Sequence, residues 1–372
     1  MADLTCSQHA HGGNVYAAAR ELGRSVDKLI DFSASINPLG PAPGALRAVR
    51  RARVLEHYPD PDCWALRQAL ASRWRCDMDQ IIVGNGSTEL IHLLPTALRM
   101  RHLLVIGPTF SEYAAAMERS GGRVTAVLAD RADGYAPPLV RAIEAIGANA
   151  PKRKASLPID SVLLCNPNSP TGQACDVKEV AALARAAQRR NVRLILDETF
   201  VDYCVERSVL PVMDDVGQAI VLRSFTKFFG LPGLRIGYLV TDADTAQRIR
   251  ARQIPWSVNA LAQEAALAAL ADERHARRSR SFMVRERARF LRLLDRLPGC
   301  VPFPSQANFV LMELPRGWHA RAVTAALRRQ GIVIRDCSTV PGLNQRSIRM
   351  AVRARRDNDR LVRILAELLG SR

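Results

Sequence analysis

The sequence predicts an α/β protein: a large domain on a mostly parallel central sheet, then a smaller α+β domain at the C-terminal end. Three observations predict it. Up to about residue 255, short apolar runs bounded by Gly, Pro, Asn or Asp alternate with longer amphipathic segments. The runs are apolar throughout rather than every second residue, as in strands buried on both faces. Beyond that point long helical patterns mix with fewer strands. A chain of 372 residues is long enough for two domains with a sizeable core.

Taken in order, residues 1–40 read as an N-terminal arm contributing to the active site and the small domain, 41–255 as the large domain and 256–372 as the small one. The large-domain strands are expected at QIIVGN (80–85), HLLVIG (102–107), SVLLCN (161–166), VRLILDE (192–198), AIVLRS (219–224) and RIGYLV (235–240). STELIHLLPTALRM (87–100) and VKEVAALARAAQRRN (177–191) are helical patterns between them. PKRKAS (151–156) reads as a surface loop. In the C-terminal part, NALAQEAALAALAD (259–272) and SFMVRERARFLRLLDRL (281–297) are helical. NFVLMEL (308–314), GIVIRDC (331–337) and SIRMAVR (347–353) are strands, with a helix around 320–330.

Composition narrows the class. Apolar residues make up 48% and charged residues 24%, ordinary for a soluble globular chain. No apolar run spans a bilayer, and MADLTCSQHAHGGN lacks the pattern of a secretory signal, so a cytoplasmic protein with no membrane partner is expected. The eight cysteines form no C-x-x-C pair, and His9 and His11 have no Cys or His cluster to complete a metal site. A net charge of +17 raises nucleic-acid binding as a possibility. The arginines are spread through amphipathic helices and no recognition signature accompanies them. The charge is therefore read as a preference for anionic small molecules, with no nucleic-acid partner.

In open parallel sheets, ligands bind beyond the carboxyl ends of the strands. Those ends carry GNGSTE (84–89), GPTFSEY (107–113), CNPNSPTG (165–172), DETF (197–200) and RSFTK (223–227). The chain has only five lysines, and one of them, Lys227, lies in the apolar, aromatic stretch SFTKFFGLPGLRIGY (224–238). An unprotonated amine forms a Schiff base with an aldehyde, which a guanidinium cannot do. Phe225, Phe228 and Phe229 are expected to desolvate it and lower its pKa. A lysine snorkelling out of an apolar loop is the plainer alternative.

Ser224 and Arg235 join the amine on the same stretch, and the three together suit a phosphate beside an aldehyde, as in pyridoxal phosphate. Ser87 and Thr88 open a helix whose N-terminal amides would also take a phosphate, although Ser-Thr is equally an ordinary cap. Asp197 ends a strand and suits a pyridinium nitrogen, which it would keep protonated as an electron sink; a simple turn cap is the alternative. Tyr113 is the candidate to cover the ring, and the asparagines of NPNSPTG to hold its 3-oxygen.

These motifs, in this order and over nearly the whole chain, resemble the fold-type-I pyridoxal-phosphate enzymes, the aspartate and histidinol-phosphate aminotransferase group. The resemblance implies Lys227 as the Schiff-base lysine, Asp197 as the partner of the pyridine nitrogen, and Tyr113 stacked on the ring. It implies Ser87, Thr88, Ser224 and Arg235 around the phosphate. Tyr58 would reach the neighbouring subunit's cofactor in a homodimer, and Arg349 would hold the substrate carboxylate. Two positions depart from the family pattern. Ser169 stands where the family has asparagine before Pro-Thr-Gly, leaving Asn168 or Ser169 as the ring-oxygen contact. Phe200 replaces the usual tyrosine. HGGN (11–14), LIDFSASINPLGP (29–41), YPDP (58–61), RQIPWSVNALAQEAA (252–266) and GIVIRDCSTVPGL (331–343) are similar to the branch that decarboxylates threonine phosphate for cobalamin. That implies a phosphorylated amino acid held by His11, Gly12, Gly13, Asn168, Arg335 and Arg349. A histidinol-phosphate aminotransferase needs a phosphate site too and stays as the alternative. No motif states which bond at the substrate Cα breaks.

Overall fold

The computed structural model describes residues 2–3, 12–50, 56–148 and 157–370. Its strands are Ala2–Asp3 (β1), Ile30–Asp31 (β2), Ile81–Gly84 (β3), His102–Gly107 (β4), Arg123–Leu128 (β5), Ser161–Cys165 (β6) and Arg193–Asp197 (β7). They continue with Ile220–Ser224 (β8), Gly237–Val240 (β9), Val301–Pro302 (β10), Phe309–Glu313 (β11), Ile332–Val333 (β12), Arg335–Asp336 (β13) and Ser347–Ala351 (β14). Eight of them form one sheet in the order β1-β5-β4-β6-β7-β8-β9-β3. From β5 to β8 the pairing is parallel. β9 runs antiparallel to both its neighbours, β8 and β3.

The central strands face helices on both sides, so each alternates between two apolar layers. Leu104, Val162, Leu164, Leu194, Leu196 and Val221 belong to one buried cluster. Leu103, Leu163, Ile195, Ile220 and Leu222 belong to the other. Each such side chain contributes roughly 1.5–3 kcal/mol by burial. All six strands expected of this sheet are present. β5 was not anticipated, because Arg123 opens it and Thr125 interrupts its apolar run. Thr125 is buried at 3% exposure because its hydroxyl meets His102 Nε2 at 3.0 Å.

The helix Val177–Arg189 begins at a capping box in which Asp176 and Glu179 satisfy each other's backbone N–H groups. Asn259 and Asp272 cap the helices Ala260–Ala271 and Glu273–Asp295 in the same way, by accepting from the first turn. The C-terminal strands form a second, antiparallel sheet, β10-β11-β14-β13. β2 pairs in parallel with β12, so residues 30–31 near the start of the chain are held by its C-terminal part. Among the described residues no helix is long and apolar enough to cross a membrane, and no His, Cys, Asp and Glu cluster could hold a metal ion. His9, Cys6 and PKRKAS lie outside the described residues.

Candidate active site

The parallel strands present their carboxyl ends along one edge of the large sheet, and a cavity of about 980 Å³ opens there. Its opposite wall comes from β13, β14 and residues 12–36. The lysine loop crosses the floor. β8 ends at Ser224, and the chain returns through residues 225–236 into β9, its neighbour in the sheet. Phe225, Phe228 and Phe229 are buried in the main core. Phe225 packs on Phe229 at 4.8 Å between ring centres, and Phe228 on Tyr203 at 5.0 Å. They anchor the loop rather than surround the amine, as the sequence reading supposed. The ring beside Lys227 Nζ is Phe200, 5.9 Å from its centre. The backbone carbonyl of Lys227 accepts from the Asn37 amide at 2.9 Å. Burial first, then the positive charges of Arg349 and Arg235, push the amine down to about 8, against the pull of Asp31 and Asp197.

At one end of the cavity lies an anion cradle. Asn85 precedes the helix Gly86–Ala97 and its side chain makes no capping bond. Ser87 and Thr88, in the first turn, line the cavity with Ser224 and Arg235. A Cβ on Gly86 would come 2.5 Å from Arg235 Nη2, so the missing side chain admits the guanidinium to the helix N-terminus. A Cβ on Gly237 would meet Ser87 N at 2.6 Å, so the first residue of β9 presses directly on that turn. The Glu89 carboxylate takes the Asn85 amide at 2.5 Å, and the helix amides of the first turn with the Arg235 guanidinium suit a bound anion.

At the centre, Asp197 is buried at the end of β7 and receives the Thr199 amide at 2.8 Å and the Tyr113 hydroxyl at 2.7 Å. Burial pushes its carboxyl up, opposed by these hydrogen bonds and by the charge of Lys227. Tyr113 is 2% exposed, and burial together with the Asp197 charge holds its phenol well above the usual range. Its hydroxyl is thus committed to Asp197. The half-buried aromatic beside it on the cavity wall is Phe110, set edge-to-face against Tyr113 at 5.7 Å. The motif PTFSEY holds two aromatics, and of the two that line the cavity Phe110 is the less buried.

Asn168 is also placed differently from expectation. Its Nδ2 donates to Pro108 O and to Thr171 Oγ1, both at 2.8 Å, which braces the turn beneath the cavity. Ser169 lines the cavity instead. The Ser169 hydroxyl accepts from Arg349 Nη1 at 2.9 Å, while Arg349 Nη2 donates to Ser33 O at 2.9 Å. The guanidinium lies 4.9 Å from the centre of the Phe309 ring. Arg335 stands directly across the ladder from Arg349, and both line the cavity. Like charges directly opposite repel. Among the described residues neither arginine is paired with a carboxylate. Burial and the Arg335 charge both push Arg349 down, with Cys337 and Asp31 opposing.

Gly12 and Gly13 do line the cavity. The Gly13 amide donates to Ser33 Oγ at 2.8 Å, so it ties down the arm and is not free for an anion. Gly12 rides so close to Ser33 O that a Cβ would come within 2.4 Å of it. His11 lies outside the described residues. Tyr58 is 83% exposed, packs on Trp256 at 5.3 Å and is not among the residues lining this chain's cavity. Ser33 was missed by sequence reasoning. It links the arm, Asp31 and Arg349, and its only signal was its place at a strand end in LIDFSAS.

Residues 27–368 match the family described as aminotransferase class I and II. The chain belongs to that family. Within it, the chain is 39% identical to a threonine-phosphate decarboxylase from Salmonella typhimurium, over 97% of this chain and 96% of that one. The crystal structure of L-threonine-O-3-phosphate decarboxylase from Porphyromonas gingivalis is similar at a TM-score of 0.78 and 28% identity, covering 92% of this chain and all of that one. The histidinol-phosphate aminotransferase from Sinorhizobium meliloti, in complex with pyridoxal-5'-phosphate, is similar at a TM-score of 0.84 and 27% identity, covering 96% and 95%. The fold of this family member is therefore that of the fold-type-I enzymes.

Proposed function

We propose that the protein is a pyridoxal 5'-phosphate-dependent carboxy-lyase. It converts L-threonine O-3-phosphate to (R)-1-aminopropan-2-yl phosphate, the linker used in the cobalamin nucleotide loop. The observation that carries this reading is the Arg335 and Arg349 pair, two guanidinium groups with no carboxylate partner among the described residues, lining the same cavity as Lys227. Two adjacent cations suit a substrate with two anionic groups, one carboxylate and one phosphate. The 39% identity to a threonine-phosphate decarboxylase favours this reading of the shared scaffold, since relatives named histidinol-phosphate aminotransferase reach 31–32% over a similar length.

The residues present fit the cofactor. Arg235 and the first turn of the helix Gly86–Ala97 would take its phosphate, with Ser224. Lys227, pushed down to about 8, is the amine for its aldehyde. Asp197 would hold the ring nitrogen, with Tyr113 keeping that carboxylate in place, and Phe110 would cover the ring. When bound, pyridoxal phosphate supplies an electron sink for the bond that breaks at the substrate Cα. The protein's own part is orientation and proton handling. Arg349, fixed by Ser169 and Ser33, and Arg335 beside it hold the two anions and so choose which Cα bond faces the sink. Lys227 then delivers a proton to Cα.

We read the chain further as a cytoplasmic homodimer. The described cysteines are free, which suits a reducing compartment. Tyr58, Trp256 and Ile254, at 72% exposure, form an apolar surface that a second copy would cover. The N-terminal arm to residue 40 and the unit from 256 onward would form the substrate side of the site. The test is to supply phosphothreonine and cofactor and to follow CO₂ and aminopropanol phosphate. Amino transfer to 2-oxoglutarate without CO₂ would overturn this reading in favour of an aminotransferase.

A further inference from the structure

The wall carrying Arg335 belongs to the small sheet, whereas Lys227 belongs to the large one. Something must hold the two in register. Glu313 ends β11 with its side chain only 1% exposed. It accepts from Arg346, the residue just before β14 of the same sheet, and, at 2.5 Å, from Arg131 Nε. Arg131 comes from the turn after β5, on the large-sheet side, and its side chain is 51% exposed.

An apolar contact joins the same two sides of the molecule. Tyr135, on the same turn, meets Phe303 edge-on at 4.9 Å. Ala129, Tyr135, Phe303, Leu311 and Cys337 form one buried cluster, with Val340 and Leu343 packed on it. Leu128 lies so close to Gly342 that a Cβ there would come 3.3 Å from its Cδ2. Leu128, Arg335, Cys337 and Val340 also line the cavity. The same patch is thus both the joint between the sheets and a wall of the site.

We propose that Arg131 and Glu313 form a latch that holds the Arg335 wall at its working distance from the lysine floor. They act as positioning residues that set affinity for the anionic substrate without touching it. A buried carboxylate needs its cations, and Arg346 alone satisfies Glu313 only within its own sheet. Arg131 converts that need into a tie across the joint. Because Arg346 stays, removing Arg131 leaves no unpaired buried charge, and the fold should survive.

The latch rests on the reading that Arg335 and Arg349 bind the substrate's anions. Arg131→Ala should raise KM for phosphothreonine roughly three- to tenfold, with kcat within about twofold of wild type. The dissociation constant of inorganic phosphate, measured by calorimetry, should rise by a similar factor. Amide exchange should quicken in residues 128–135 and 335–343 and stay unchanged in 220–240. Arg131→Lys, which keeps the charge, should recover part of each effect. Unchanged KM, phosphate affinity and exchange would overturn the latch. So would a loss of kcat with exchange raised throughout the chain, because that describes general loosening. The phosphate and exchange arms report on the latch even if the wild type fails to decarboxylate.

Discussion

Gly86 offers a sharp test of the anion cradle. Replacing it with alanine has two separable effects. The position has φ +78°, so an L side chain there is held in left-handed backbone, at a cost of about 1–2 kcal/mol of stability. The new Cβ would also stand 2.5 Å from Arg235 Nη2 and 3.1 Å from its Cζ. The arginine tip is flexible and swings away, taking with it one charge-assisted contact to the bound phosphate. Such a contact is worth about 1.5–3 kcal/mol, or roughly 10- to 150-fold in affinity. Gly121→Ala separates the two effects, because that glycine has φ +77° and no atom within 4 Å of an added Cβ. Both variants should lose similar thermal stability. In absorbance titrations only Gly86→Ala should bind pyridoxal phosphate more weakly, and pyridoxal, which lacks the phosphate, should bind both alike. Equal affinity of the two variants for pyridoxal phosphate would refute the cradle. An equal loss for pyridoxal would refute it as well.

Two further outcomes follow from the buried titrating groups. Lys227 is held at about 8, below its ordinary 10.5. Between those values the folded chain has released a proton that the unfolded chain still binds, so cofactor-free protein should gain stability as pH rises through this window. Denaturant midpoints from pH 7 to 10 should show the gain in wild type and lose it in Lys227→Met; parallel curves would count against the assignment. Tyr113→Phe deletes the hydroxyl that helps pull the Asp197 carboxyl down. The acid limb of the kcat profile should therefore move to higher pH, with kcat reduced roughly tenfold or more. A profile identical to wild type would show that Tyr113 does not act through Asp197.

The large sheet was legible in the sequence because strands buried on both faces write their burial as unbroken apolar runs. β5 was not, because Thr125 and His102 satisfy each other inside the layer and so disguise a buried strand as a polar one. Lys227 stood out by composition, since a lone lysine among phenylalanines in an arginine-rich chain has to answer for itself. Its neighbours were harder. Phe225, Phe228 and Phe229 are close to it in sequence yet turn into the core, whereas Phe200 reaches it from the turn after β7. Asn168 and Ser169 show the same limit: one residue along a tight turn reverses which side chain faces the cavity, and periodicity does not resolve a turn. The role of Ser33 depends on contacts with Gly13 and with Arg349, 316 positions away, and no local pattern encodes them.

The reversal of β9 has a consequence for how this molecule matures. Gly86 and Arg235 are distant in sequence, and they meet only because β9 turns back between β8 and β3. The cradle therefore does not exist until the last three strands at that end of the sheet have zipped together. Closing so long a stretch of chain is slow compared with forming a helix. A ligand that recognises only the finished edge draws the chain toward its native state by mass action. The cofactor would then act as an inspector of assembly, binding chains that have closed the sheet and passing over those that have not.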